Sequence, residues 1–294
     1  MINSNPSGVP ESLVVEETGS HALIEDLGRP GRAHLGVPTS GAADKASLRL
    51  ANRLVGNDAD AAAVECLLGD LTVRVCGRRP VWLAVTGART TVTVNGRPQA
   101  SSSSLVAHPG DILRVEPPVD GARNYLAVRG GIDVRPQLGS RATDVLSGLG
   151  PGPIKVGDHL PIGAPGRGLP DTDVARVPPI SRRLPIMLGP RDDWFTDGAL
   201  ERLVNGSWLV APATDRVAVR LSGPQLPRRF DGQLPSEAIL PGAIQVPPSG
   251  QPVIFGPDHP VTGGNPVVAV VVSGGVDVIG QLRSGDLVSF ALVD

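Results

Sequence analysis

The chain has 294 residues, 40% of them hydrophobic, with 37 glycines and 30 prolines, which allows one large or two medium cores joined by many turns and excludes a helical bundle. A formal charge of −2 without a basic run removes nucleic acid from the expected partners. The longest aliphatic run, Val267–Val272, is too short to cross a bilayer, so no membrane association is expected.

Residues 1–12 are polar and contain Gly and Pro, as at a disordered N-terminus, and no leader sequence is evident. Strands are expected at Leu13–Glu16 and Ala22–Glu25. The segment Asp26–Glu65 follows, dense in polar side chains and glycine. It contains one helix that Asp44 caps and Gly56 ends, with Leu48, Ala51 and Val55 inward and Asn52 on the polar face. From Val64 the pattern is β. Val64–Leu68 and Leu71–Val75 flank Gly69-Asp70, a hairpin signal. More strands are expected at Val81–Val85, Thr90–Val94, Ile112–Glu116 and Asn124–Arg129, with Ser101–Ser104 as an exposed loop or strand edge.

A second helix is capped by Thr196, buries Leu200, Leu203 and Val204, and stops at Gly206. Around it lie strands at Leu184–Leu188, Ser207–Val210, Val217–Leu221, Val253–Phe255, Val267–Val272 and Leu287–Val293. Two helices among some fifteen strands make the class mainly β. The expected organisation is a disordered end at 1–12, an N-terminal β-lobe at 13–165, a Pro/Gly-rich linker at 166–180 and a C-terminal β-lobe at 181–294. An internal echo, VRGGIDVRPQLGS at Val128–Ser140 and VSGGVDVIGQLRS at Val272–Ser284, suggests a duplicated β-lobe.

Several chemistries are excluded. No Gly-Lys pair exists, so no P-loop can hold ATP, and no G-x-S-x-G elbow is present. Lys45 and Lys155 are the only lysines, and neither has the Met-Lys-Met context of a biotinylated lysine. Cys66 and Cys76 are the only cysteines; reduced thiols are expected, and no zinc set or other metal site is. A soluble cytoplasmic protein is the expectation.

The remaining candidates sit on glycine turns. Asp26 and Arg29 flank Leu27-Gly28, and the pair reads either as a bidentate anchor for a carboxylate or urea-like group or as a turn-stabilising ion pair. Glu65, within VECLL, projects to solvent on alternation alone, or is a buried acid. Gln245 and Gln251 suit an amide or ureido group, and Thr262-Gly263-Gly264 offers backbone N–H groups to an oxyanion, or is an ordinary loop.

The run DLGRPGRAHLGVPTSGAADKASLRLANRLVGNDADAAAVE is followed in order by YLAVRGGIDVRPQLGSRATD, DRVAVRLSG and LPGAIQVPPSGQPV with TGGNP. These blocks resemble the family called allophanate hydrolase subunit 2, 5-oxoprolinase C-subunit or KipA-like, whose fold unit forms part of the carboxyltransferase domain of urea amidolyase, a biotin-dependent carboxyltransferase. The resemblance spans about residues 20–292. It implies a cyclophilin-like β-barrel architecture and an obligate KipI-like subunit 1 (allophanate hydrolase subunit 1) as partner, with a further catalytic subunit possible. It also implies ATP-dependent attack by the complex on a small amide such as 5-oxoproline, urea or allophanate, with carboxybiotin as one possible carboxyl source.

On that resemblance Asp26, Arg29, Glu65 and Arg216 are the catalytic candidates. Asp44, Asn52, Asn57, Gln245, Gln251, Asp258, Thr262, Gly263 and Gly264 are the substrate-binding ones. The chain departs from the family pattern at Glu25, Val217–Val219, Pro260-Val261 and Asn265, the last standing in place of an aromatic. The alternative implied by the same family is a non-catalytic KipA-like binding module that antagonises a kinase-inhibitor partner. Prolyl isomerase activity would rest on fold analogy alone.

Overall fold

A computed structural model describes residues 10–171, 174–230, 232 and 234–293; most of the expected disordered end lies outside them. The chain divides into two compact units. The first comprises the segments ending at Gly28, Lys45–Thr143 and Leu149–Pro178; the second comprises Arg29–Asp44, Asp144–Gly148 and everything from Pro179. The described residues form twenty strands and three α-helices, so the mainly β class holds. The expected count of fifteen strands fell short because several are only two or three residues long.

The first unit is a sandwich. Its strands are β1 (Ser12–Thr18), β2 (His21–Glu25), β3 (Ala63–Leu67), β4 (Leu71–Cys76), β5 (Val81–Arg89), β6 (Val92–Val94), β7 (Arg97–Gln99), β8 (Ser104–Ala107), β9 (Ile112–Val115), β10 (Asp120–Val128) and β11 (His159–Pro161). One sheet runs β11-β1-β4-β9-β6-β7 and the other β2-β3-β10-β5-β8. Leu13, Val73 and Leu113 of the first sheet share a core with Ile24, Val64, Leu126 and Val85 of the second, as alternation requires of two packed sheets. The outer face of the second sheet is covered by α1 (Lys45–Leu54), which packs on β5 and β10. That sheet is therefore buried on both faces, and every residue of β10 after Asp120 is buried.

Helix α1 ends as expected at Gly56, whose φ is +70°. The Gly56 N–H donates to the Arg53 carbonyl and the Asn57 N–H to that of Asn52, at 3.1 and 2.9 Å, the paired bonds of a Schellman stop.

Gly69-Asp70 is not a hairpin. β3 and β4 lie in different sheets, and Leu68, Gly69 and Asp70 all have positive φ, at 59°, 74° and 57°. Three left-handed residues in a row turn the chain from one sheet to the other. The two-residue hairpin is instead Asn95-Gly96, both at positive φ, which joins the paired strands β6 and β7. The serine run also differs from expectation: Ser102 and Ser103 are buried and Ser104 opens β8.

The second unit is built on a closed barrel in the order β12-β19-β16-β17-β14-β13-β20. Its strands are β12 (Arg183–Leu188), β13 (Trp208–Val210), β14 (Ala218–Ser222), β16 (Ala243–Gln245), β17 (Val253–Phe255), β19 (Val267–Val271) and β20 (Leu287–Leu292). A short ribbon, β15 (Glu237–Ala238) with β18 (Thr262–Gly263), lies beside it. The β12–β20 pair is parallel and closes an otherwise antiparallel barrel. Helix α2 (Asp197–Asn205) is capped by Thr196 Oγ1, which accepts from the Ala199 N–H at 3.2 Å, and it stops at Gly206. Leu203 and Ala199 are its buried residues; Leu200 and Val204 are half-buried.

The internal echo is not a structural repeat. Gly130 and Gly131 turn at φ of +101° and +69°, whereas Gly274 and Gly275 lie inside α3 (Ser273–Ile279). A Cβ on Gly275 would sit 2.7 Å from Val271 Cγ1 and 3.0 Å from Pro185 Cδ, so here glycine permits close packing of a helix that propensity alone would not place.

A Cβ at Gly69 would meet the Glu116 carbonyl oxygen at 2.4 Å, while one at Gly96 meets nothing within 4 Å. Both glycines have positive φ. Gly96→Ala is therefore expected to cost about 1 kcal/mol and Gly69→Ala at least about 3 kcal/mol. Urea denaturation of the two variants checks the difference.

Candidate functional site

In the second unit the sequence-predicted Arg216 and Asp258 form a bidentate pair. Arg216 Nε and Nη2 donate to Asp258 Oδ2 and Oδ1 at 2.8 and 3.2 Å, and the side chains are 5% and 0% exposed. Asp258 lies in the loop after β17, and Arg216 two residues before β14. Nη2 also donates to the Gly41 carbonyl at 2.7 Å. Asp258 accepts two further bonds, from Ser40 Oγ at 2.6 Å and the Val145 N–H at 3.1 Å. With this many donors the carboxylate is compensated for its burial and acts as a fixed acceptor.

Ser40 and Gly41 both have positive φ, 54° and 85°. A serine in that region is strained, and its bond to Asp258 holds it there. Asp44, at the end of the same segment, accepts from Gln281 Nε2 at 2.8 Å. Gly280 approaches so closely that a Cβ would lie 2.5 Å from the Ala43 carbonyl oxygen. Arg29 begins the segment and lies 3.9 Å from Asp144, both side chains fully enclosed. Asp144 in turn accepts from the Leu146 and Ser147 N–H groups at 3.0 Å each and from Ser147 Oγ at 2.5 Å.

His259 follows Asp258 and is buried. Its Nδ1 is 2.8 Å from the Pro260 carbonyl oxygen, which only accepts, so the proton sits on Nδ1 and the lone pair on Nε2. Burial pushes its pKa below the usual value of 6.5, against the upward pull of Asp258 and Asp144. A neutral imidazole beside two carboxylates has the form of a proton acceptor. Neither it nor Ser40 nor Asp144 was singled out from sequence; the lack of any helical His spacing drew attention away from the His259 position.

Gln245 is buried on β16, and its Nε2 has no hydrogen-bond partner among the described residues. Gly263 lies over it, since a Cβ there would be 2.9 Å from Nε2. An amide donor buried without a bond costs about 1–3 kcal/mol, so Gln245 retains the capacity to bind a carbonyl. Gln251 does not: its amide exchanges two bonds with the Gly223 backbone, at 2.8 and 3.1 Å. Thr262 and Gly263 pair with Ala238 and Glu237 in the β15–β18 ribbon, so this stretch is a strand and not the open loop its sequence suggests. Gly264 and Asn265 line a cavity of about 630 Å³ together with Arg228 and Gln225.

The first unit holds the other predicted residues. Asp26 accepts from the Gly28 N–H at 2.7 Å and from Ser140 Oγ and the Arg141 N–H at 2.6 Å each. Its partners are thus Ser140 and Arg141, while the carboxylate beside Arg29 is Asp144. Glu65 is buried, contrary to the outward position that alternation suggests, because α1 covers that face. It accepts from Tyr125 Oη at 2.7 Å and faces Arg123 Nε at 3.2 Å. Asn52 is fully buried on α1 instead of solvent-facing; Nδ2 donates to the Ala61 carbonyl and Oδ1 accepts from Asn57. Asn57 also donates to Val128 and accepts from the Gly130 N–H, both at 2.8 Å. Cys66 is a buried free thiol whose pKa burial raises to about 12, and Cys76 is also free. Among the described residues no cluster suits a metal ion.

A family model described as carboxyltransferase domain, subdomain A and B, matches residues 35–292. The 5-oxoprolinase C-subunit of Escherichia coli (strain K12) is 34% identical over 281 residues, 95% of this chain and 90% of that protein. The urea amidolyase of Lachancea kluyveri is 32% identical over 96% of this chain, which spans 17% of its length. The crystal structure of the K. lactis urea amidolyase matches with a TM-score of 0.89 and 29% identity, covering all of this chain and 19% of that one.

Asp258→Asn leaves the buried Arg216 charge without its counter-ion and is expected to destabilise the protein by about 3–5 kcal/mol. Asp197→Asn, at the exposed pair with Arg229, should leave the denaturation midpoint unchanged. The pH dependence has a definite sign. His259 binds its proton less readily folded than unfolded, so its cost is absent above the ordinary pKa of 6.5 and grows as pH falls below it. Between about pH 7.5 and about pH 5.5, His259→Gln should lose less stability than the parent, as read by urea titration at both values.

Proposed function

The chain belongs to the carboxyltransferase-domain family, subdomains A and B, and from that membership we propose that it is one subunit of an ATP-dependent complex acting on a small amide. The observation that carries this reading is the match to the 5-oxoprolinase C-subunit, which runs over nearly the full length of both chains. The urea amidolyases, by contrast, contain the matching region as a small part of a long chain. The reading therefore follows the 5-oxoprolinase arrangement, in which the matching region makes up nearly the whole subunit. Its partner is a KipI-like subunit 1, and the amide is 5-oxoproline, urea or allophanate.

The chain carries neither a P-loop nor the Met-Lys-Met context of a biotinylated lysine. Lys45 opens α1, and Lys155 lies in a loop that leads into the strand β11 and not into a helix, so neither stands where a P-loop lysine would. ATP binding through a P-loop and the covalent attachment of biotin, where the complex uses them, are assigned to other chains. The contribution proposed here is binding and proton handling. Arg29, Arg216 and Asp258 hold the Ser40-Gly41 turn, His259 supplies a neutral lone pair, and Gln245 supplies an amide donor. Asp26 and Glu65 are positioning residues in this scheme, since their oxygens already accept from Ser140, Arg141 and Tyr125.

Co-purification with a subunit 1 partner, followed by ATP-turnover assays with each amide, tests the reading. The expected result is turnover stimulated by one amide in the complex and negligible turnover by either chain alone. His259→Gln should lower turnover by about 10²-fold or more, the usual size of a general-base contribution. A tight complex that hydrolyses ATP with none of the three amides would favour the KipA-like module, which antagonises a kinase inhibitor without chemistry.

A further inference from the structure

Along β16 and β17 the residues alternate between two clusters. Ile244, Val246 and Ile254 point into the barrel core. Ala243 and Phe255 lie on the outer face, in a separate cluster with Val267 and Ile239. Gln245 belongs to that outer face by the same alternation. The short ribbon of β15 and β18 covers it: among the described residues the two strands are laddered to each other and to no barrel strand.

The cover is close. Gln245 is only 4% exposed, and a Cβ on Gly263 would lie 2.9 Å from Nε2 and collide with Ile239 Cδ1. Glycine is therefore the residue that lets the ribbon close on this amide. Yet Nε2 has no hydrogen-bond partner among the described residues. An amide N–H is satisfied by water or by an acceptor, and is penalised when it has neither. The closed ribbon thus carries a cost that any acceptor reaching Nε2 would relieve.

The ribbon is held down by a contact that is easily released. Arg191, just after β12, forks onto Glu237 of β15. Its Nε lies 2.8 and 3.1 Å from the two carboxylate oxygens, and Nη2 donates to Oε1. The Arg191 N–H donates to the Val267 carbonyl of the barrel at 3.2 Å, so the pair ties ribbon to barrel. Both side chains are partly exposed, and ion pairs in that setting are weak. The Ile239 N–H on the Val261 carbonyl, at 3.0 Å, joins the two arms of the ribbon, which allows them to move as one piece. Leu240-Pro241 connects it towards β16 and Gly264 towards β19. On the other side β18 follows Pro260, whose carbonyl faces His259 Nδ1, so a lifted ribbon would also loosen the hold on the imidazole.

We propose that the β15–β18 ribbon is a lid, latched by Arg191 and Glu237, that lifts from the barrel to admit a hydrogen-bond acceptor to Gln245 and closes over it. The movement is argued from packing alone; that the acceptor is a substrate carbonyl rests on the functional reading above.

Labelling of the full chain with iodoacetamide, read site by site because Cys66 and Cys76 are also free thiols, tests the lid. Ala243→Cys, in the cluster beneath the ribbon, reports lifting. Ala269→Cys, in the barrel core, reports opening of the whole barrel. The first thiol is expected to label at least about tenfold faster than the second, since local opening costs less than global opening. Glu237→Gln should speed labelling at position 243 by up to about fivefold, the range of one partly exposed pair. Gln245→Met, which fills the same place without a donor, should slow it by at least about fivefold. Equal rates at the two thiols, or a Gln245→Met variant that labels no more slowly at position 243, overturns the proposal. Proton exchange of the Gln245 side-chain amide in the parent, followed by NMR, makes the same comparison without a cysteine, and exchange no faster than global unfolding also overturns it.

The two readings fail separately. If the lid moves as expected and the complex turns over no amide, the lid stands and the functional reading falls. If the complex turns over an amide while the two thiols label alike, the function stands and the lid falls.

Discussion

Within the second unit, everything near the candidate site depends on one buried ion pair. Arg216 and Asp258 lie beside the barrel, and each would be costly to enclose alone. The bidentate geometry, with Ser40, Gly41 and Val145 completing the donors and acceptors, turns that cost into specificity. The pair fixes two segments that are remote in sequence, Arg29–Asp44 and Asp144–Gly148, against the loops carrying Arg216 and Asp258. Ser40 keeps a left-handed backbone because that contact holds it, and the neutral His259 is enclosed next to the same carboxylate. The charges of this scaffold are committed to one another, whereas Gln245 Nε2 has no hydrogen-bond partner among the described residues and His259 uses Nδ1 alone on the Pro260 carbonyl.

The first unit uses polar residues in another way. Its second sheet has the sandwich core on one side and α1 on the other, so residues that alternate outward still face protein. Glu65, Arg123 and Tyr125 solve that problem by bonding to one another across β3 and β10. Asn52 and Asn57 do so by tying the end of α1 to the backbone at Ala61, Val128 and Gly130. These bonds give Asn52, Asn57 and Glu65 a structural role within the first unit.

How much of this was legible in the sequence follows from the range over which each signal acts. Local signals were read well: the Schellman stop at Gly56, the Thr196 cap, the strand Val253–Phe255 and the mainly β class. Pairing was not, because nothing in Leu67–Leu71 states that its two strands join different sheets. The third helix was missed because Gly274-Gly275 looks like a turn, and glycine is required there by the approach of Pro185, far away in sequence. The family motif marked Arg216 and Asp258, although only the fold brings them to Ser40 and Val145. His259 and Asp144 carry no local pattern, and their surroundings come from the fold. The lining of the cavity beside Asn265 likewise comes from separate loops that no linear window contains.

The alternation of the chain between the two units has a consequence for synthesis. Ser40 leaves the ribosome 218 residues before the carboxylate it will bond. At roughly 5–20 residues per second, its segment waits on the order of tens of seconds for its partners. The sandwich can close meanwhile from the residues on either side of that segment, leaving sixteen residues, Arg29–Asp44, looped out and unsatisfied. During synthesis the first unit can therefore be formed while the second consists only of its first segments. During that interval Arg29, Ser40 and Asp44 are exposed to chaperones, and to any partner chain able to hold them.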